Sequence, residues 1–212
     1  MTLVAFGVWL FFELAENVLE GETARIDRAL MLALRQADDV SLPRGPAWLG
    51  QVARDITALG GAPVLCLIVL VVTVYLLLAR KPHTALYVLL ATVTGSVTSL
   101  VLKALVARPR PDLFTHGDRV ITMSFPSGHA MLSAVVYLTL GALLTRVVPT
   151  RRLKAYVIVV TLLLTGLVGL SRVYLGVHWP TDVLAGWAAG GAWALGCWGL
   201  LGVLRPKIER VA

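Results

Sequence analysis

Residues 126–154 read PSGHAMLSAVVYLTLGALLTRVVPTRRLK. Between His129 and Pro149 the only charge is Arg146, which makes a run of apolar residues long enough to cross the roughly 30 Å hydrocarbon core of a bilayer as a helix of about 20 residues. A Pro-Ser-Gly-His start stands at one end, and Arg146, Arg151, Arg152 and Lys154 stand at the other. The stretch therefore predicts a membrane span over 130–148, basic at one end and carrying a polar, glycine-containing helix start at the other.

The pattern repeats along the chain. Further runs predict spans near 57–79, 85–106, 154–171 and 181–204, separated by Pro82, Pro109 with Pro111, Pro149, Pro180 and Pro206. Of the 212 residues, 58% are hydrophobic and only 15% charged, against about 25% charged in an average soluble domain. A soluble fold would have too little polar surface to cover itself. Glycines within the spans (Gly95, Gly141, Gly166, Gly169, Gly186, Gly190, Gly191) permit close helix approach.

The first 55 residues differ. Leu3 to Phe12 is apolar, but Glu13 and Glu16 follow, so this segment reads as a shortened first span. Residues 24–37 read as an amphipathic helix in the membrane interface, with Ile26, Leu30, Ala33 and Leu34 on one face and Arg25, Asp27, Arg28 and Arg35 mostly elsewhere. Residues 38–55, with Pro43, Gly45, Pro46 and Trp48, read as an interfacial connector. The expected architecture is an all-α polytopic helical bundle on a six-span plan, forming a single domain. Its parts are 1–55, a five-span core over 56–204, and a cytoplasmic tail over 205–212. The N-terminus lacks the basic start and small-residue cleavage site of a removable signal. Cys66 and Cys197 lie in apolar runs and read as small buried hydrophobes.

Basic residues set the expected orientation. Arg80, Lys81, Arg146, Arg151, Arg152, Lys154, Arg205, Lys207 and Arg210 fall in one set of loops, with Glu209 as the only acid. The surplus of eight charges there exceeds the +7 of the whole chain. The positive-inside rule puts these loops in the cytoplasm of a multi-pass cytoplasmic-membrane protein. The high pI is then a topology signal, and no nucleic-acid partner is implied.

Three motifs fall at the opposite, extracytoplasmic ends of the spans. They are Lys103 to Pro111 (KALVARPRP), Pro126 to His129 (PSGH), and Ser171-Arg172 with His178 and Asp182. Together they hold what phosphate chemistry needs. Lys103, Arg110 and Arg172 supply positive charge, Arg as a fork and Lys as a point; Arg108 is the less certain cation. Isolated Lys or Arg at span ends merely reach for headgroups, but three within converging motifs point to a phosphate. The helix starting at Gly128 offers N–H groups and a positive dipole end, Gly128 permits close backbone approach, and Ser127 either caps the helix or donates to phosphate. Asp182, four residues after His178, can fix one imidazole nitrogen and leave the other free to attack phosphorus, while His129 protonates the leaving oxygen and then activates water. A zinc site built from His129, His178 and Asp182 is the competing reading; the surrounding cations repel a metal and attract phosphate, so no metal or other cofactor is expected. His83, in a cytoplasmic turn, and His116, in the long outer loop, have no partner pattern. Trp48 and Trp179 read as interfacial anchors, and Trp187, Trp193 and Trp198 as packing or lipid-facing residues.

The spacing of Lys103, Arg110 and Pro111, then Pro126-Ser127-Gly128-His129, then Ser171-Arg172, His178 and Asp182 resembles the type-2 phosphatidic acid phosphatase family from about residue 56 onward. The resemblance implies a six-helix membrane core and a metal-independent lipid phosphatase. His178 would be the phosphorylated residue, His129 the acid and base, and Asp182 the orienting group. Lys103, Arg110, Ser127, Gly128 and Arg172 would hold the phosphate. Substrates implied by it are undecaprenyl diphosphate, phosphatidylglycerophosphate or phosphatidic acid. Lipid phosphotransferases share the motifs, as do soluble acid phosphatases and vanadium haloperoxidases, against which the apolar spans argue. The reading from another class is a transporter that binds phospholipid headgroups without hydrolysis. It would place charges deep within spans, whereas here they cluster at span ends.

Overall fold

The computed structural model describes residues 1–111 and 123–208, with side chains through residue 201. The outer-loop histidine, His116, and residues 209–212 of the expected tail lie outside the described residues. Eight helices are present among them: α1 Thr2–Leu19, α2 Ala24–Ala33, α3 Ala47–Ala58, α4 Ala62–Leu78, α5 Pro82–Val106, α6 Gly128–Val147, α7 Arg151–Tyr174 and α8 Pro180–Ile208. Five of them (α1, α5, α6, α7 and α8) are long and apolar enough to cross a membrane, and the bent pair α3–α4 brings the number to six. Their outer faces carry exposed apolar side chains such as Phe6, Leu86, Leu100, Leu163 and Leu170, as a lipid solvent requires.

At 18 residues, or about 27 Å of helix, α1 is shorter than α5–α8. It nevertheless runs on through Glu13 and Glu16, which stay exposed, and packs its Phe11 and Ala15 against Ala185 of α8 and Phe125.

The span expected over 57–79 and the connector expected over 38–55 are both corrected. Residues 47–58 form α3, and the chain bends by 43° before α4. The Gly60-Gly61 pair and Pro63 supply the break, since glycine ends a helix cheaply and proline suits the first turn of the next. Close packing demands glycine as well: a Cβ on Gly60 would lie 2.3 Å from Val168 Cγ1 and 3.2 Å from the His129 carbonyl.

The α2 helix lies where an interfacial helix was expected, with Ile26 and Leu30 exposed. Its inward face is mixed. Asp27, Met31 and Arg35, spaced by one turn, are all buried, Asp27 completely. Arg35 donates to the carbonyl of Tyr174 at 3.1 Å, which ties α2 to the end of α7. The buried side of α2 thus sets Met31 among Ala130, Val173 and Val183 between two buried charges, while Arg25 and Arg28 are exposed beside Ile26 and Leu30.

The centre of the bundle is α6, packed on both α7 and α8, with α1 covering the other side of α8. The α6–α8 crossing is close enough to exclude side chains at two positions. A Cβ on Gly190 would lie 2.5 Å from the Met131 carbonyl oxygen, and one on Gly186 would lie 2.8 Å from that of Ser127. Both glycines thus let the start of α8 lie directly on the start of α6, which is where the motifs meet. Trp187 and Trp193 pack inside, donating to the carbonyls of Thr165 and Ala91, and Trp198 stacks against Arg146 at 3.8 Å.

Candidate active site

Four chain segments build the site. The end of α5 supplies Lys103. Ala107 then takes a left-handed conformation (φ 47°) that stops the helix, and Pro109 keeps Arg108 out of helical geometry. The chain leaves the bundle as Arg108-Pro109-Arg110-Pro111. The start of α6 supplies Ser127, Gly128 and His129. The end of α7 supplies Arg172, and the turn into α8 supplies His178 and Asp182. One backbone bond joins two motifs directly, from the Ser127 N–H to the Asp182 carbonyl at 2.9 Å.

His178 is 1% exposed and held from both sides. Its Nδ1 faces Asp182 Oδ2 at 3.4 Å and Ser124 Oγ at 3.4 Å. Its Nε2 lies 3.2 Å from Arg110 Nη1, which also donates to the Val177 carbonyl at 2.6 Å. Burial pushes the His178 imidazole down to about 4, against the hydrogen bond and charge of Asp182, which pull it up. The ring is therefore neutral near pH 7. With Nδ1 turned to the carboxylate, the Nε2 lone pair points towards the guanidinium of Arg110, into the place where a phosphate would bind.

Asp182 is fully buried and its oxygens are fully used. Oδ2 accepts from the Trp179 N–H at 2.9 Å and from the Ser124 hydroxyl, so the carboxylate at the third position of α8 reaches back to the residue before the helix, as in a capping box. Oδ1 accepts from Arg108 Nη1 at 2.7 Å.

The other cations surround this centre. Lys103 Nζ donates to the Met123 carbonyl at 2.8 Å, and its Cε would lie 3.4 Å from a Cβ on Gly128. Arg172 is buried and donates to Thr57 Oγ1 at 3.1 Å, while its Nε has no hydrogen-bond partner. Ser127 Oγ is likewise buried and unpartnered, and it makes no capping bond to α6. Of the two roles open to Ser127, capping is therefore not the one it performs here. Both are buried donors at the motif ends of their helices, and native structures rarely orphan such groups without a functional reason. His129 lies against the Gly60-Gly61 break and within electrostatic reach of Arg172, His178, Arg110 and Lys103. All eight residues singled out from the sequence thus come together at one end of the bundle. Among the described residues, no three His, Cys, Asp or Glu side chains are grouped to hold a metal.

Several participants were not anticipated. Arg108 binds two carboxylates, Asp182 and Asp27, at 2.7 Å each. Ser124 and Thr57 complete the surroundings of Asp182 and Arg172. Trp179, expected as an anchor, stacks 5.4 Å from Arg108 and donates to the Pro109 carbonyl at 3.2 Å. The double arginine of Arg108-Pro-Arg110 was the one visible signal, since a second cation two residues from the first suggests a second task. Asp27 carried no signal, because its partners lie far along the chain. His83 sits in the first turn of α5, at the opposite end of that helix from Lys103, and lines an apolar groove of about 820 Å³ between α1, α5 and α8.

Residues 84–205 match the family model of the PAP2 superfamily. The chain is 37% identical over 144 residues to phosphatidylglycerophosphatase B of Bacillus subtilis, covering 68% of this chain and 70% of that one. It is 31% identical over 125 residues to an undecaprenyl-diphosphatase of Sulfolobus acidocaldarius, covering 57% and 56%. The crystal structure of a transmembrane PAP2 type phosphatidylglycerolphosphate phosphatase from Bacillus subtilis superposes with a TM-score of 0.83 at 30% identity, over 94% of this chain and 96% of that one.

Proposed function

The chain belongs to the PAP2 superfamily, and from that membership we propose that it is an integral membrane lipid phosphatase with His178 as its nucleophile. The observation that carries the assignment of roles is the state of His178. It is buried and neutral, held at Nδ1 by Asp182 and turned at Nε2 towards Arg110.

Nε2 attacks phosphorus, forming an N–P bond as the bond to the lipid oxygen breaks. His129 gives that oxygen a proton, so the lipid leaves as an alcohol or, from a diphosphate, as a monophosphate. The transferred phosphoryl group is held by Lys103, Arg110 and Arg172, with Ser127 Oγ and the α6 N-terminus at Gly128 donating to its oxygens. His129, now a base, takes a proton from water as it attacks phosphorus. Inorganic phosphate leaves and His178 is restored. No step needs a metal or an organic cofactor.

The named relatives act on phosphatidylglycerophosphate and undecaprenyl diphosphate, and we place the substrate of this protein in the same class of membrane lipid phosphates. The excess of Lys and Arg in the loops at the far ends of the spans supports an active site on the extracytoplasmic face of the cytoplasmic membrane.

The test is phosphate release by detergent-solubilised protein across undecaprenyl diphosphate, phosphatidylglycerophosphate, phosphatidic acid and lysophosphatidic acid. At least one is expected to be hydrolysed by the wild type and none by His178→Ala. A His178→Ala protein with full activity rules out the mechanism. For the face of the site, intact spheroplasts given a membrane-impermeant, soluble short-chain substrate are expected to hydrolyse it without permeabilisation; hydrolysis only after permeabilisation reverses the orientation.

A further inference from the structure

The mechanism leaves one fully buried acid unused. Asp27, on the interfacial helix α2, is 0% exposed and lies at the end of a chain of charges leading into the site. Its Oδ2 accepts from Arg108 Nη2 at 2.7 Å, and the other arm of the same guanidinium, Nη1, donates to Asp182 Oδ1 at 2.7 Å. Asp27 also takes the N–H and the hydroxyl of Thr181 at 3.0 and 2.6 Å, and Thr181 Oγ1 accepts from Arg108 Nη1 at 2.8 Å. Thr23 Oγ1 lies 3.4 Å from Arg108 Nη2. Asp27 therefore grips both the first turn of α8 and the arginine that holds Asp182.

We propose that Asp27 is a positioning residue for phosphoryl transfer: through Arg108 it sets both the place and the effective charge of the Asp182 carboxylate behind His178. This inference rests on the reading of His178 as nucleophile. When Nε2 bonds to phosphorus, the imidazole gains positive charge, with its proton still on Nδ1 facing Asp182. The carboxylate stabilises that charge only to the extent that Arg108 has not already neutralised it. A guanidinium shared between two buried carboxylates leaves the group with one net negative charge next to His178. Without Asp27 the same guanidinium would pair with Asp182 alone, and the net charge would fall to zero just where positive charge develops. Buried charges act strongly on one another because little water screens them. Fork geometry matters as well, since Arg108 spends one arm on each acid and Lys could not do so.

A purely structural role, capping α8, predicts something different: lost stability with activity falling in proportion to folded protein. The experiment compares kcat, KM and thermal midpoint for Asp27→Asn, Asp27→Ser and Asp27→Glu in the full-length detergent-solubilised chain, on material eluting as one folded species. The probe is phosphatidic acid, or whichever lipid phosphate of the panel the wild type cleaves best. The two neutral variants are expected to lose about tenfold or more in kcat with KM within about threefold, and the glutamate, which restores the charge, to recover most of it. Asp27→Ser avoids setting an amide N–H against Arg108, so it keeps the test open if the asparagine protein does not fold. In an Asp182→Asn background, Asp27→Ser is expected to change the residual kcat by less than about twofold, because residues acting as one unit are not additive. A neutral variant with wild-type kcat overturns the proposal, and so does a loss that multiplies in full on top of Asp182→Asn. His178→Ala assayed in parallel keeps the two ideas apart: activity there removes the nucleophile assignment, whereas inactivity there with unaffected Asp27 variants removes only the role of Asp27.

Discussion

Substituting a single methyl group at Gly190 is expected to slow catalysis without touching a catalytic side chain. A Cβ on Gly190 would lie 2.5 Å from the Met131 carbonyl oxygen and 2.8 Å from Ala134 Cβ, against comfortable carbon contacts of about 3.5–4.0 Å. Neither neighbour is the end of a flexible side chain, so α8 must back away from α6 by about 1 Å to reach such a contact. That crossing holds Ser127 and His129 in register with His178 and Asp182, through the Ser127 N–H bond to the Asp182 carbonyl. Overpacking of this kind costs about 1–3 kcal/mol, and a displacement of about 1 Å in a catalytic group can cost about 10²-fold. Gly190→Ala is therefore expected to lower the thermal midpoint and to cut kcat by about 10- to 100-fold. Gly166→Ala is the control, since nothing lies within 4 Å of a Cβ there. Replacing a helical glycine at such a site is expected to leave kcat unchanged and to add up to about 1 kcal/mol of stability. Phosphate release and a thermal scan of the two purified proteins decide the matter. If Gly190→Ala keeps kcat within twofold of the wild type, the close crossing is not what aligns the motifs.

Other substitutions probe the site from different sides. Arg108→Met leaves two fully buried carboxylates without their shared partner and is expected to cost about 3–5 kcal/mol, visible as a large fall in thermal midpoint. Ser127→Ala removes a hydroxyl that caps nothing, so the midpoint should stay within a degree or two while kcat/KM falls about tenfold or more; a protein that loses stability instead shows the hydroxyl to be structural. His129→Ala removes both the acid of the first step and the base of the second, so phosphate release is expected to fall by about 10²-fold or more; a protein that keeps turnover within a few-fold of the wild type removes His129 from both roles. The lowered His178 also predicts a pH dependence. The folded protein refuses a proton until about pH 4, whereas the unfolded chain takes one near 6.5. His178 therefore makes stability fall as pH drops from about 6.5 towards 4, with no further loss below that. The midpoint difference between wild type and His178→Gln should shift over that window and stay flat from pH 7 to 8.

How much of this was legible beforehand depends on the length scale of each signal. The long apolar runs of α5 to α8 and the Lys and Arg at their far ends are local features, and a bilayer tolerates few alternatives to a helix across it. The break at Gly60-Gly61 was harder. Either side of it is apolar enough to continue a span, and the need for glycine comes from Val168 and His129, far along the chain. A helix was legible over α2, but on a helical wheel Asp27 looks like one more solvated charge. Only packing against Arg108 and Thr181 makes it a buried one.

The amino-acid order alone determined which residues can handle a phosphate and that they sit at the same ends of membrane helices, because motif chemistry and span parity are both countable along the chain. Tertiary structure alone decided how the cations divide their work. Arg108 and Arg110 are two residues apart and chemically identical, yet one grips Asp27 and Asp182 while the other faces His178 Nε2. Motif spacing singles out Arg110, but nothing local tells what Arg108 binds. The difference arises from what the fold brings to each, two buried carboxylates to Arg108 and the Val177 carbonyl and His178 ring to Arg110, and that is set by how closely α8 lies against α6 and beneath α2.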